Sequence, residues 1–163
     1  MKTIIAAIRW TFRGEVPSSK LTRMGLTVGT NFNRQAGCII DPSHCWLISI
    51  GNNVTLAPRV HILAHDASTR RELGYTLIGT VRIGNNVVIG AGSVVRASIP
   101  SNSVAAGNPA RLLSSRDHFL AKHRELMKSR PIFDGKYTTT LKINDEHKTE
   151  MQSALRDGVG YVE

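Results

Sequence analysis

Aliphatic residues recur at every sixth position in two stretches of the chain. Each one opens a short unit with a small residue, two turn formers and then Val or Ser, as in Ile83-Gly-Asn-Asn-Val-Val. A hexapeptide repeat of this kind is the sequence mark of a parallel β-helix. The aliphatic positions are Ile50, Leu56, Ile62, Ile83, Ile89 and Val95.

A period of six with one flat strand per unit predicts three strands in each coil of a triangular prism. The aliphatic residues point inward and stack from coil to coil, whereas the Gly-Asn and Asn-Asn pairs lie at the corners, because Gly and Asn tolerate a positive φ. Repeat-like sequence extends from Leu26 to Arg111. The predicted fold class is therefore all-β, with helical appendages at both ends.

Two segments interrupt the period. Residues 34–46 do not keep the six-residue register, and residues 64–76 are polar and lack the aliphatic repeat. Loops on a rigid scaffold commonly carry function. His65 lies in the second interruption and is the first candidate for a catalytic residue.

The ends of the chain read as helical. Residues 3–13 form an amphipathic pattern, which we interpret as a helix that caps the β-helix; the alternative is a helix at a membrane surface. After the repeat we expect a helix over 114–130, an extended piece over 137–143, and a last helix that ends at 157 and is capped by Asn144 or Asp145. The predicted division is a capping segment over 1–25, a β-helix over 26–113 and a helical extension over 114–163.

The composition narrows the class of partner. The formal charge of +9 favours anionic ligands, but aromatic residues make up only 6% and no nucleic-acid-binding motif is present, so nucleic acid is not an expected partner. Because the chain has no apolar run of membrane-spanning length and no signal-peptide core, we expect it to be cytoplasmic. Cys38 and Cys45 are expected to be buried, reduced thiols.

Three segments together resemble the maltose, galactoside and polysaccharide O-acetyltransferases of the hexapeptide family. They are Gly51-Asn-Asn-Val-Thr-Leu-Ala-Pro-Arg-Val with the His65 loop after it, Ile89-Gly-Ala-Gly-Ser-Val, and the ending Ala105-Ala-Gly-Asn-Pro-Ala-Arg. The resemblance covers about residues 26–113. It implies a left-handed β-helix, acetyl-coenzyme A as the acyl donor, and a homotrimer with each site between two subunits.

His65 stands where that family has its catalytic base. The chemistry agrees, because an imidazole is the side chain best matched to taking a hydroxyl proton at neutral pH. By the same resemblance, Gln35 and Asp41 line the acceptor site. Asp41 either orients the base, binds a sugar hydroxyl, or is simply a turn residue before Pro42.

The resemblance also implies a groove for coenzyme A. Small residues would let the pantetheine arm approach, backbone groups at Val95 and Arg96 would contact it, and Arg96 and Arg111 would bind its phosphates. No metal is expected. The repeat departs from the family after Val95, where one further coil is expected, and this departure affects the donor site. The predicted cofactor-binding residues are Ala57, Ala91, Gly92, Val95, Arg96 and Arg111.

The sequence therefore predicts an acetyl-coenzyme A dependent O-acetyltransferase. The acceptor would be a sugar hydroxyl of a capsule, an exopolysaccharide or a small saccharide, acetylated directly in a ternary complex with His65 as general base. One alternative is a metal hydratase similar to the γ-carbonic anhydrases, with His44, His61 and His65 as the candidate ligands. Another is a catalytically idle subunit that scaffolds a polysaccharide assembly complex.

Overall fold

The computed structural model describes residues 15–163, so the helix predicted over 3–13, with its alternative at a membrane surface, lies outside the described part of the chain. The chain divides after Arg116 into two compact units. The first contains the repeat, and the second contains the helical extension.

Short parallel strands build the first unit, after helix α1 (Ser18–Arg23). They assort into three parallel arrays, consistent with a left-handed β-helix. One array holds β1 (Thr27–Val28), β4 (Ile48–Ile50) and β9 (Val81–Ile83). The second holds β2 (Asn33–Arg34), β5 (Thr55–Leu56), β10 (Val88–Ile89) and β12 (Ser103–Gly107). The third holds β3 (Ile39–Ile40), β6 (His61–Ile62) and β11 (Val94–Val95).

The strand register confirms the six-residue repeat. The aliphatic positions pair from coil to coil, for example Ile50 with Ile83 and Ile62 with Val95. Their side chains form the core, and Leu56, Ile62 and Ile89 are fully buried. Cys38 and Cys45 are buried free thiols, as predicted.

The first interruption is shorter than the sequence indicated. Strands β2 and β3 keep the register up to Ile40, and Arg34 pairs with Leu56 at a position that elsewhere is aliphatic. The half-buried guanidinium of Arg34 donates through its two terminal nitrogens to the carbonyl oxygens of Val16, at 2.7 Å, and Cys38. Burial lowers the pKa of Arg34 from its ordinary value. Because this inward position holds an arginine, the first coil cannot be recognised from the spacing of aliphatic residues.

One corner of the coils is a ladder of asparagines. Asn31 Nδ2 donates to Asn53 Oδ1 at 3.0 Å, Asn53 to Asn86 at 3.0 Å, and Asn86 to Asn102 at 2.9 Å. All four have φ between 52° and 58°. Asparagine suits this corner because it tolerates the left-handed region and its amide can both donate and accept.

The same corner excludes side chains just before the asparagines. A Cβ added to Gly51 would lie 2.5 Å from Asn85 Oδ1 and 2.7 Å from the Gly84 carbonyl oxygen. A Cβ added to Gly84 would lie 2.4 Å from the Ser101 amide nitrogen. Glycine is required here by the close approach of the next coil and not by its own φ.

The stack ends in a hairpin that reverses direction. Strand β12 pairs antiparallel with β13 (Ala110–Ser115), and helix α3 (Arg116–Met127) follows within the predicted range 114–130. In the second unit, β14 (Ile132–Phe133) pairs with β15 (Tyr161–Val162), and helix α4 spans Asp145–Ala154. Asn144 caps α4, because its Oδ1 accepts from the His147 amide at 2.7 Å, as predicted.

The extended piece predicted over 137–143 is wrong. Two 3-10 turns occupy Gly135–Tyr137 and Thr139–Leu141. The carboxylate of Asp134 starts them by accepting from the Lys136 amide at 2.8 Å, which is a local alternative to strand pairing. No helix in residues 15–163 combines the length and the apolar character needed to cross a lipid bilayer.

The glycine corner yields a stability prediction. Gly51→Ala should lower the free energy of unfolding by about 2 kcal/mol, since the added methyl group must displace the neighbouring backbone. Urea unfolding at a fixed chain concentration measures it. Gly79→Ala is the control, because a Cβ at Gly79 meets nothing within 4 Å and should change stability by less than about 0.5 kcal/mol. Equal stability of the two variants would contradict the close-stacking argument.

Candidate active site

Both interruptions of the repeat leave the β-helix at the same corner, the one that follows β3, β6 and β11. Asp41 N donates to the Ile62 carbonyl and Leu63 N donates to the Val95 carbonyl, each at 2.9 Å. Residues directly after these strands therefore stack across three successive coils. We call this the active corner; its members are Asp41, Leu63 and Arg96.

The second interruption folds into a short arm. Strand β7 (His65–Asp66) pairs antiparallel with β8 (Leu77–Ile78), and a four-residue helix, α2 (Arg70–Leu73), lies between them. The Gly79 amide donates to the Ala64 carbonyl at 2.9 Å, which closes the base of the arm. His65 is thus held by strand pairing where the arm leaves the rigid scaffold.

At the active corner, a buried carboxylate contacts the predicted base. Asp41 Oδ2 lies 2.5 Å from His65 Nδ1, and it also accepts from the Ala64 amide at 3.1 Å. Asp41 Oδ1 accepts from the Ser43 amide at 2.9 Å. Asp41 is 1% exposed, whereas the His65 side chain is 33% exposed. One partner is therefore fixed in the protein and the other faces solvent.

The carboxylate of Asp41 is kept ionised. Burial by itself raises its pKa, but hydrogen bonds from His65 and from the Ser43 and Ala64 amides outweigh burial, so the pKa lies below its ordinary value. An ionised Asp41 holds His65 in the tautomer that carries its proton on Nδ1, which leaves Nε2 as a proton acceptor. Chemically, an imidazole held in this way can act as an oriented general base.

His44 and Trp46 lie beside this pair. The His44 ring centroid is 5.2 Å from that of His65 and 5.4 Å from that of Trp46, and Trp46 is 56% exposed. The hydrogen bond between the Ser43 amide and the Asp41 carboxylate forms a turn, and His44 follows this turn directly, next to His65. Trp46 is not among the residues predicted from the sequence; the available signal was an aromatic residue inside an interruption of the repeat.

A small cavity of about 160 Å³ adjoins His65. Arg96 lines it from the next coil, and its guanidinium pairs with the Asp66 carboxylate. Hydrogen bonds from Ser68 and the charge of Arg96 lower the pKa of Asp66. The role predicted for Arg96, phosphate binding, would therefore compete with an ion pair inside the chain.

Other predicted ligand-binding residues lie at a different corner, the one that follows β2, β5 and β10. Gln35 N donates to the Leu56 carbonyl at 3.1 Å, and Ala57 N to the Ile89 carbonyl at 2.9 Å. The Gln35 side chain donates to Asn33 Oδ1, at 3.0 Å. Gly92 has φ 69° and open space around it, and Ala91 before it is exposed. The structure thus separates Gln35 from Asp41 and groups it with Ala57, Ala91 and Gly92.

The remaining two donor-site residues differ in exposure. The Val95 side chain is buried in the core, so only its backbone can face a ligand. Arg111 is exposed on β13, and its guanidinium donates to the Ala110 carbonyl at 3.1 Å.

The three histidines considered as metal ligands do not come together. His61 lies on β6 and lines another groove, of about 620 Å³, with Arg59 and Glu15. In the part of the chain that the structure describes, the group that could hold a metal ion is Asp41, His44 and His65, each offering one ligand atom within 4.8 Å of the others.

Sequence comparison finds relatives over about half of this chain. Galactoside O-acetyltransferase of Escherichia coli is 34% identical over 107 residues, which cover 53% of this chain and 52% of the relative. WbbJ of Escherichia coli, provisionally named a lipopolysaccharide biosynthesis O-acetyl transferase, is 36% identical over 84 residues, which cover 52% of this chain and 31% of the relative. The chain therefore matches a third to a half of the length of these two relatives.

Among solved structures, a maltose O-acetyltransferase from Clostridium difficile 630 shares 36% sequence identity, with a TM-score of 0.41. The alignment covers 56% of this chain and 59% of that protein. No family model matches the chain.

The buried carboxylate leads to a prediction about pH. A group whose pKa is lowered on folding stabilises the fold above its unfolded pKa, near 3.9 for Asp, and loses that contribution as the pH falls through the folded value. Asp41→Asn should therefore be less stable than the natural protein at pH 7, and the gap should narrow below about pH 4. Thermal unfolding between pH 3 and 7 measures it. The same change at exposed Asp117 is the control; a gap at Asp41 that does not vary with pH would contradict the assignment.

Proposed function

We propose that this chain belongs with the hexapeptide-repeat acetyltransferases and is an O-acetyltransferase that uses acetyl-coenzyme A and acts on a sugar hydroxyl. The observation that carries this proposal is the 2.5 Å contact between buried Asp41 and half-exposed His65, beside a cavity. Acyl transfer to a hydroxyl needs one oriented base at neutral pH, and this pair supplies it.

In the proposed reaction, His65 Nε2 takes the proton from the acceptor hydroxyl as its oxygen attacks the thioester carbonyl. The carbon–oxygen bond forms, the carbon–sulfur bond breaks, and the departing sulfur recovers the proton from His65, so coenzyme A leaves as a thiol. Asp41 stabilises the imidazolium while it carries that proton. In this proposal Asp41 is a positioning residue that acts through His65, which is one of the roles that the sequence left open for it.

The distribution of charge supports an anionic donor. Residues 117–163 contain eight basic and eight acidic side chains, so the whole formal charge of +9 belongs to residues 1–116. In that part, the acidic side chains of Asp41 and Asp66 are each engaged by a neighbour at the active corner. Exposed arginines on the β-helix thus attract the phosphates of coenzyme A, with Arg111 proposed as one direct contact.

The proposal extends to the assembly and to the groove. A left-handed β-helix that forms a homotrimer would place Gln35, Ala57, Ala91 and Gly92 on its outer face. There they would flank the pantetheine arm or the acceptor. Arg96 and the backbone at Val95 would contact the same ligands. A neighbouring subunit would complete the groove, as the likeness to the acetyltransferases implies.

The base can be tested by substitution. His65→Ala should reduce kcat by at least about 100-fold, because the proton acceptor is lost, and Asp41→Asn should lower kcat with little change in KM. Thiol release from acetyl-coenzyme A in the presence of a panel of sugars measures both. His147→Ala, on helix α4 of the second unit, is the control and should keep its activity. If the natural protein shows neither turnover nor coenzyme binding, the scaffold alternative is favoured instead.

The donor site can be tested separately from the reaction. Arg111→Gln should weaken coenzyme A binding about fivefold, because one charge-assisted contact to a phosphate is removed. Calorimetric titration at two salt concentrations measures the Kd. Arg124→Gln, on helix α3 of the second unit, is the charge-matched control. Equal weakening by both variants would indicate only a general electrostatic effect and would contradict a direct contact from Arg111.

A further inference from the structure

The active corner carries one more side chain than acyl transfer needs. Asp41 and His65 suffice for an oriented base, yet His44 approaches them closely enough for one atom from each of the three residues to lie within 4.8 Å of the others. A carboxylate oxygen and two imidazole nitrogens form a ligand set typical of zinc and related divalent transition metals. The cluster of Asp41, His44 and His65 is therefore a candidate metal site.

His44 offers a ring nitrogen that the described protein groups leave unpaired. Its Nδ1 is shielded from solvent and has no hydrogen-bond partner among the described residues. Buried polar atoms are nearly always satisfied, and an atom that is not is a place where an ion or a water belongs. Asp41 offers the complementary charge, since it is buried and ionised beside His65.

From this geometry we infer that Asp41, His44 and His65 bind a divalent transition metal of the zinc class, and that the bound metal inhibits the enzyme. The inhibitory half of the inference rests on the proposed function, because the metal would occupy the carboxylate and imidazole that serve as the base. The binding half rests on the side chains alone.

The distances are compatible with such a site after a small adjustment. Ligand atoms around a tetrahedral zinc lie about 3.4 Å apart, so a pair at the 4.8 Å limit must close by about 1.4 Å. His44 and His65 are both partly exposed, which leaves their rings room to turn and gives an ion access from solvent. Asp41 is held by the Ser43 and Ala64 amides and provides the fixed point. Three protein ligands leave a fourth position for water.

Zinc binding can be measured without any substrate. Calorimetric titration of the full chain with zinc chloride at pH 7.5 should show one ion per chain. His44→Gln should weaken binding at least tenfold, because it removes one ligand. His61→Gln is the matched control and should bind zinc as the natural protein does.

The inhibitory effect is measured by thiol release from acetyl-coenzyme A. Zinc should inhibit the natural protein, a chelator should restore its activity, and His44→Gln should remain active at the same zinc concentration. Unchanged zinc affinity in His44→Gln, or loss of binding in His61→Gln, would overturn the site. If zinc binds as expected but the metal-free protein shows no acetyl transfer, the metal site stands and the proposed function fails.

Discussion

Close stacking of one coil on the next is the constraint on which the rest of this structure depends. Adjacent strands lie about 4.8 Å apart, and at the corner formed by Gly51 and Gly84 that spacing leaves no room for a Cβ. The asparagine ladder then joins the coils through side-chain amides, at positions where few other residues tolerate the backbone. The insertions leave the β-helix at another corner, the active corner, and the strands that follow them stay in register.

The active corner follows from this constraint. Asp41 and His65 are distant in sequence, but each follows a strand of the same array in adjacent coils, and stacking brings them into contact. The Asp41 carboxylate is buried there, and two backbone amides and an imidazole form hydrogen bonds with it. Packing therefore supplies both the rigidity and the charge that a general base requires.

The fold could be predicted from the sequence because each side of a coil holds six residues, and the aliphatic positions repeat with that period. The sequence singled out His65 through the interruption together with the resemblance, and Asp41 through the resemblance, and both functional roles stay predictions. It did not predict that Gln35 and Asp41 lie at different corners. That prediction requires the register of the first coil, which is hard to recognise because Arg34 stands at a position that is aliphatic in the other coils. The turns over 135–141 escaped prediction for a related reason: a single hydrogen bond from Asp134 decides them, and no periodicity reports it.

The hairpin of β12 and β13 has a consequence for solubility. A β-helix whose last coil ended in three open parallel strands would offer a ready template on which a second molecule could continue the stack into a fibre. Here β13 covers one of those edges with a strand of opposite direction, and an incoming coil cannot match all three faces at once. The short antiparallel strand β13 thus ends a stack of coils that could otherwise continue from one molecule to the next.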